Sequence, residues 1–323
     1  MTRRLARPAA IAVRPAPRSA LLRSAALGLV AAALAAAVPT TSAQSIEPRA
    51  YSNAPVGMNF LIGGLAATRG GAAFDTLPIT EPHLETWSAV LGYARVLDLW
   101  GRSGKVGVVV PYTRLSGTAT YQGGPIEREI DGPGDPLLRL SVNLLGAPAL
   151  TLPEFRSYQQ DLIVGASVQV SVPAGQYDAT RLVNIGTHRW AFRPEVGLSK
   201  ALGPWTLEGA AAATFYTTND DFFNGNRRAQ APLYSLSANL IYSFAGGAWA
   251  SLDGTVYTGG RTTLNGTLNS DLQQNWRVGA TLAMPVDLQH SVKFYASSGV
   301  SARTGNSFDL FGVAWQVRWG AGL

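Results

Sequence analysis

Between Tyr234 and Phe244 every second residue is apolar or aromatic: Tyr234, Leu236, Ala238, Leu240, Tyr242 and Phe244. The positions between them are Ser235, Ser237, Asn239, Ile241 and Ser243. A period of two places one set on one face of an extended strand and the other set on the opposite face. The alternation returns in Leu162 to Val172, in Leu138 to Leu144 against Arg139, Ser141 and Asn143, and in Val292 to Val300 against Lys293, Tyr295, Ser297 and Gly299. Such a chain needs apolar surroundings on one side of its strands and water on the other. A transmembrane β-barrel supplies both, because only alternate residues of each strand meet lipid.

Composition supports an apolar environment. Hydrophobic residues make up 46% and charged residues only 14%, where a soluble domain carries about a quarter charged. There is no Cys, which excludes disulfide frameworks, thiolate zinc sites, cysteine nucleophiles and lipid attachment through an N-terminal Cys. The net charge of +6 suggests nucleic acid until it is located. Arg3, Arg4, Arg7, Arg14, Arg18 and Arg23 precede Gln44, no acid occurs before Glu47, and the rest of the chain is balanced. The excess therefore belongs to the leader, and no nucleic-acid partner is expected.

Residues 1–43 read as a cleaved secretory signal peptide: a basic start, an apolar run from Ala25 to Val38, and small residues at Thr41 and Ala43 before Gln44. The apolar run is too short to cross a bilayer, which takes about twenty residues, and no later stretch is long enough either. The expected organisation is a signal peptide over 1–43, a short periplasmic segment over 44–56 and an outer-membrane barrel over 57–323. Tyr51 and Pro55 are expected to tuck into the inner mouth.

Period-two counting predicts about twelve strands: 57–68, 86–97, 103–116, 136–148, 158–174, 189–201, 204–218, 232–245, 247–260, 272–284, 289–303 and 306–320. The fold class is all-β, an antiparallel up-and-down transmembrane barrel. Short connections at Asp98 to Arg102, Leu202-Gly203, Gly246 and Pro285 to Leu288 alternate with the longer polar segments 69–85, 117–135, 175–188, 219–231 and 261–271. That asymmetry suits short periplasmic turns and long extracellular loops. Residues 149–157 are long for an inner turn, and Thr304-Gly305 is short for an outer loop. Trp87, Trp190 and Trp276 fall near outer strand ends and Trp205, Trp249 and Trp319 near inner turns, as two interfacial girdles require. A soluble β-sandwich with core tryptophans does not explain Trp at both strand ends.

The last strand sets Phe311, Val313, Trp315, Val317 and Trp319 on one face. It resembles the C-terminal signal read by the barrel-assembly machinery, although the chain continues to Leu323. Five segments carry a wider resemblance: Glu47 to Phe60, Leu182-Val-Asn-Ile-Gly-Thr-His-Arg-Trp190, Gly203-Pro-Trp-Thr-Leu-Glu208, Tyr257-Thr-Gly-Gly-Arg-Thr-Thr263 and Asp271-Leu-Gln-Gln-Asn-Trp-Arg-Val-Gly279. Over roughly 46–323 the chain resembles the transporter family of the MetA pathway of phenol degradation. The resemblance implies an outer-membrane barrel of a Gram-negative bacterium. It also implies uptake of small hydrophobic or aromatic, phenol-like solutes, with outer-membrane lipid and lipopolysaccharide as surroundings.

Enzyme chemistry is not expected. The three histidines are His83, His188 and His290, none in a His-x-Ser spacing, and His290 and Ser291 point to opposite faces of a strand. On the wet face stand Arg193, Glu195, Glu208, Asp253, Arg277 and Lys293, expected as one mid-barrel ring along the solute path. Buried charges persist only when paired, so an internal salt-bridge network that fills the lumen is the competing reading. It would make the protein a structural or assembly-type barrel without transport. Glu127, Glu129, Asp131 and Asp135 crowd one outer loop, read as solvated charge rather than as a calcium site because no EF-hand spacing is present. No metal or cofactor is expected. Asn265-Gly-Thr267 reads as a turn.

Overall fold

The computed structural model describes residues 47–72, 79–121, 124–301 and 306–323. The leader expected over 1–43 and the outer turn at Thr304-Gly305 lie outside them. In chain order the first strands are β1 (Met58–Ala72), β2 (Ile79–Leu99), β3 (Arg102–Tyr121), β4 (Gly124–Pro133), β5 (Leu137–Leu145) and β6 (Leu162–Ser171), with a short helix α1 (Leu152–Phe155) between β5 and β6. Then come β7 (Ala191–Leu202), β8 (Trp205–Tyr216), β9 (Asn219–Phe222), β10 (Asn226–Gln230), β11 (Leu233–Ser243) and β12 (Trp249–Gly259). The chain ends with β13 (Thr262–Leu264), β14 (Thr267–Leu268), β15 (Gln273–Pro285), β16 (His290–Ser301) and β17 (Asn306–Gly320).

Every pairing is antiparallel, and β1 bonds both β2 and β17, so the sheet closes on itself. The barrel has 12 staves, because β4 and β5 are successive lengths of one stave along β3. The interruption between them holds Pro136, which has no N–H to offer the ladder. The start of β1 at Met58 pairs with the end of β17 at Gly320, at the short-turn end. There Trp100 and Gly101, at φ of 57° and 77°, make the two-residue turn that joins β2 to β3.

Within segments 69–85 and 117–135, read as loops, residues 69–72, 79–85, 117–121 and 124–133 instead continue the ladder well past the bilayer. β2 is 21 and β3 20 residues long, where about 9–11 tilted residues cross a membrane. Segments 219–231 and 261–271 fold into a separate four-stranded sheet, β14-β13-β10-β9. Its β13–β14 hairpin turns at Asn265 and Gly266, both at positive φ, as the Asn-Gly pair predicts.

Burial is inverted relative to a soluble protein. Ser88, Thr113, Ser141, Asn143, Ser199 and Ser251 are buried facing the lumen, while Leu91, Leu138, Val196, Leu236, Leu252 and Val278 are exposed on the outside. That is the pattern of a surface whose solvent is hydrocarbon. Trp87, Trp190, Trp276, Trp205 and Trp319 lie on this outer face. Trp249 does not. It shares parity with buried Ser251 and Asp253, and the Arg49 guanidinium sits 5.0 Å over its ring, so it belongs to the lumen and not to the girdle. A position next to a turn satisfies the girdle pattern equally well from either face. Here the strand's parity overrides it.

Candidate functional site

The lumen wall is built by register. Arg193 of β7 pairs with Gln169 of β6, which pairs with Arg139 of β5, so two guanidiniums stand at one level with a stave between them. Glu195 lies two residues along β7 on the same face and reaches both. Its Oε2 is 2.8 Å from Arg193 Nη2, and its Oε1 is 3.0 Å from Arg139 Nη2. Arg139 also pairs with Glu47.

Glu47 begins a strap, residues 47–56, that runs inside the barrel at its short-turn end. Tyr51 is 5% exposed and donates its hydroxyl to Glu195 Oε1 at 2.9 Å. Asn143 donates to the Tyr51 carbonyl at 3.1 Å, and Lys105 donates to the carbonyls of Ala50 at 3.2 Å and Ser52 at 2.6 Å. Glu208 accepts the Arg49 N–H at 2.7 Å and the Ser199 hydroxyl at 3.0 Å. The Arg49 guanidinium donates to Ser243 Oγ at 2.6 Å. Tyr51 and Pro55, expected at the inner mouth, are both buried.

The expected charged residues therefore divide. Arg193, Glu195 and Glu208 come together around the strap. Asp253 accepts from Ser251 Oγ at 3.0 Å and Thr281 Oγ1 at 3.2 Å. Arg277 stands apart, its guanidinium 3.7 Å over the Phe308 ring and donating to Ser297 Oγ at 3.0 Å. Lys293 lies over the Tyr295 ring at 5.6 Å. The single ring expected from residue counts is not formed: Asn239 pairs with both Glu208 and Asp253, but the partner of Asp253 on β15 is Gly279, two residues from Arg277. Arg139 and Lys105 are the residues that reading missed. The alternation had set Arg139 opposite Leu138 and Leu140, which was the available signal.

Elsewhere, polar groups serve structure. Asp135, read as solvated, is 6% exposed and accepts from Gly175 N, Thr187 N and Thr187 Oγ1 at 2.9, 2.8 and 2.6 Å, fastening segment 175–188. Glu129 pairs with Arg114, and Asp131 accepts the Tyr112 hydroxyl at 2.6 Å. His83 contacts Glu85 at 3.3 Å, His188 stacks on Tyr177, and His290 accepts the Trp315 indole N–H at 3.0 Å.

A closed barrel of 12 staves with an apolar exterior and a polar lumen is the architecture of outer-membrane barrels. The chain belongs to the family described as "Putative MetA-pathway of phenol degradation", whose profile matches residues 68–317. Its fold is similar to that of an outer membrane channel from Pseudomonas putida F1, at a TM-score of 0.72 and 19% identity over 85% of this chain and 100% of that one. It is also similar to the beta domain of the Bordetella autotransporter BrkA, at a TM-score of 0.52 and 13% identity, covering 82% and 100% of the two chains. The transport unit of the Escherichia coli autotransporter AIDA-I matches at a TM-score of 0.52 and 8% identity, over 91% and 97%. No curated relative matches the chain.

Proposed function

We propose that the protein is an outer-membrane channel for uptake of small hydrophobic or aromatic, phenol-like solutes. In this reading the leader directs export, the C-terminal strand hands the chain to the barrel-assembly machinery, the short-turn end faces the periplasm, and the long-loop end meets lipopolysaccharide. The observation that carries it is the closed barrel of 12 staves with a polar lumen, in which a small polar recess bordered by Tyr51, Arg193, Glu195, Glu208 and Asn239 lies between the strap and the wall. The lining mixes an aromatic face with a few fixed polar groups. The family membership agrees with that solute class.

A second reading, a structural barrel closed by its strap, has the pinning of Tyr51 in its favour. Liposomes containing the purified protein decide between them. Entry of phenol and a measurable ion conductance are expected, and conductance should rise when residues 47–52 are deleted. If the intact protein neither conducts nor speeds phenol entry, the channel reading fails.

A further inference from the structure

On the wall away from the strap, two adjoining strands present buried donors that find no acceptor. Arg277 of β15 is 3% exposed, and Tyr257 and Thr255 of β12 are 4% and 5% exposed. Arg277 and Thr255 are direct cross-strand partners, and Tyr257 follows two residues along on the same face. Among the described residues, Arg277 Nε and Nη2, the Tyr257 hydroxyl and Thr255 Oγ1 are all buried without a hydrogen-bond partner. The bonds that Arg277 does make, to Ser297 Oγ and the Phe308 carbonyl, bring no negative charge. The wall is shaped for the guanidinium. Its partner on β16 is Gly299, where an added Cβ would lie 2.8 Å from Arg277 Nη2. Phe308, the partner of Gly299 on β17, sets its ring against the guanidinium.

Burying a donor without an acceptor is costly, and a buried guanidinium more so, unless something completes the set. We infer that Arg277, Tyr257 and Thr255 form a lumen site for an oxyanion, the carboxylate or phenolate oxygen of a small aromatic solute. The guanidinium edge and the two hydroxyls supply donors to a single oxyanion, and Phe308 fixes the fork so that little side-chain freedom is lost on binding. This inference rests on the proposed channel function and specifies which solutes are held on the way through.

Benzoate, benzyl alcohol and inorganic phosphate are titrated against the full-length protein in detergent and in planar bilayers. Benzoate should bind and reduce the conductance, and benzyl alcohol, which carries no oxyanion, should do neither. Arg277→Gln should weaken benzoate binding by about a hundredfold or more, and Tyr257→Phe and Thr255→Val each by roughly ten- to hundredfold, the range of hydrogen bonds to a charged group. The hydroxyl variants leave the bonds of Arg277 to Ser297 and Phe308 in place, so they keep the test sound if Arg277→Gln does not insert. Phosphate competing as well as benzoate would move the site to inorganic oxyanions and overturn the aromatic part. Benzoate binding that is unchanged in all three variants would overturn the site. If phenol enters liposomes while benzoate does not bind, the channel stands and the site falls. If benzoate binds through Arg277 but no solute crosses, the site stands and the channel falls.

Discussion

Gly165 of β6 and Gly197 of β7 are cross-strand partners, and the ring of Tyr51 lies flat across both. A Cβ built on Gly165 would meet Tyr51 Cδ1 at 2.2 Å, and one on Gly197 would meet Tyr51 Cε2 at 2.3 Å. Two missing side chains on facing strands make the notch that seats the strap against Glu195. The strap's position is therefore written into the wall as well as into residues 47–56.

Filling that notch should unseat the strap. Gly197→Ala places a methyl group where the ring lies, and overpacking of this kind costs about 1–3 kcal/mol. The barrel ladder is untouched, so heat-resistant mobility on gels should persist while conductance rises. Unchanged conductance in a folded Gly197→Ala barrel would mean that the strap does not limit passage.

Glu195 is the shared acceptor of Arg139, Arg193 and Tyr51, and its side chain is only 7% exposed. Glu195→Gln leaves Arg193 without a carboxylate and Arg139 with Glu47 alone, and should lower stability by about 1–3 kcal/mol after allowance for lumen water. Combining it with Arg193→Gln should cost less than the sum of the single changes. Urea-unfolding midpoints in detergent measure the cycle, and strict additivity would show that Glu195 and Arg193 act independently.

Trp249 should behave unlike the outer tryptophans. Brominated lipids quench indoles that touch acyl chains, so a variant retaining only Trp205 should be quenched and one retaining only Trp249 should not. Loss of the Arg49 contact in Trp249→Leu should cost about 0.5–2 kcal/mol, the range of a cation–π contact. Quenching of the Trp249 signal would return that residue to the girdle.

At the turn between β15 and β16, Asp287 Oδ1 accepts the backbone N–H groups of Gln289 and His290, each at 2.7 Å. These bonds, with that of Gln289 the larger influence, hold the carboxyl below its ordinary value of 3.8. A lowered folded-state value gives stability that is present above the unfolded value and is lost as pH falls through the folded one. The stability difference between the wild type and Asp287→Asn should be constant above about pH 5 and shrink in stronger acid. Acid titration followed by circular dichroism checks this, and a difference that grows in acid would reverse the assignment.

Strand alternation made the barrel legible before any coordinates. A period of two is local, and each of Leu138 to Leu144 and Tyr234 to Phe244 declares its two faces without knowledge of its neighbours. The Asn265-Gly266 turn was legible for the same reason, since the demand for positive φ is met within two residues. What the tertiary structure alone decided is which faces meet. Arg139 and Arg193 share Glu195 because β5, β6 and β7 pair in one register, and no local signal sets that register. Arg277 parted from Asp253 because the register of β12 and β15 sets it against Thr255 and sets Asp253 against Gly279. Trp249 turned inward because a residue beside a turn takes its side from the whole strand. The seat of Tyr51 needed Gly165 and Gly197 to meet across two strands while the chain entered from 144 residues away in sequence to reach Glu195, and only the closed sheet brings those three together.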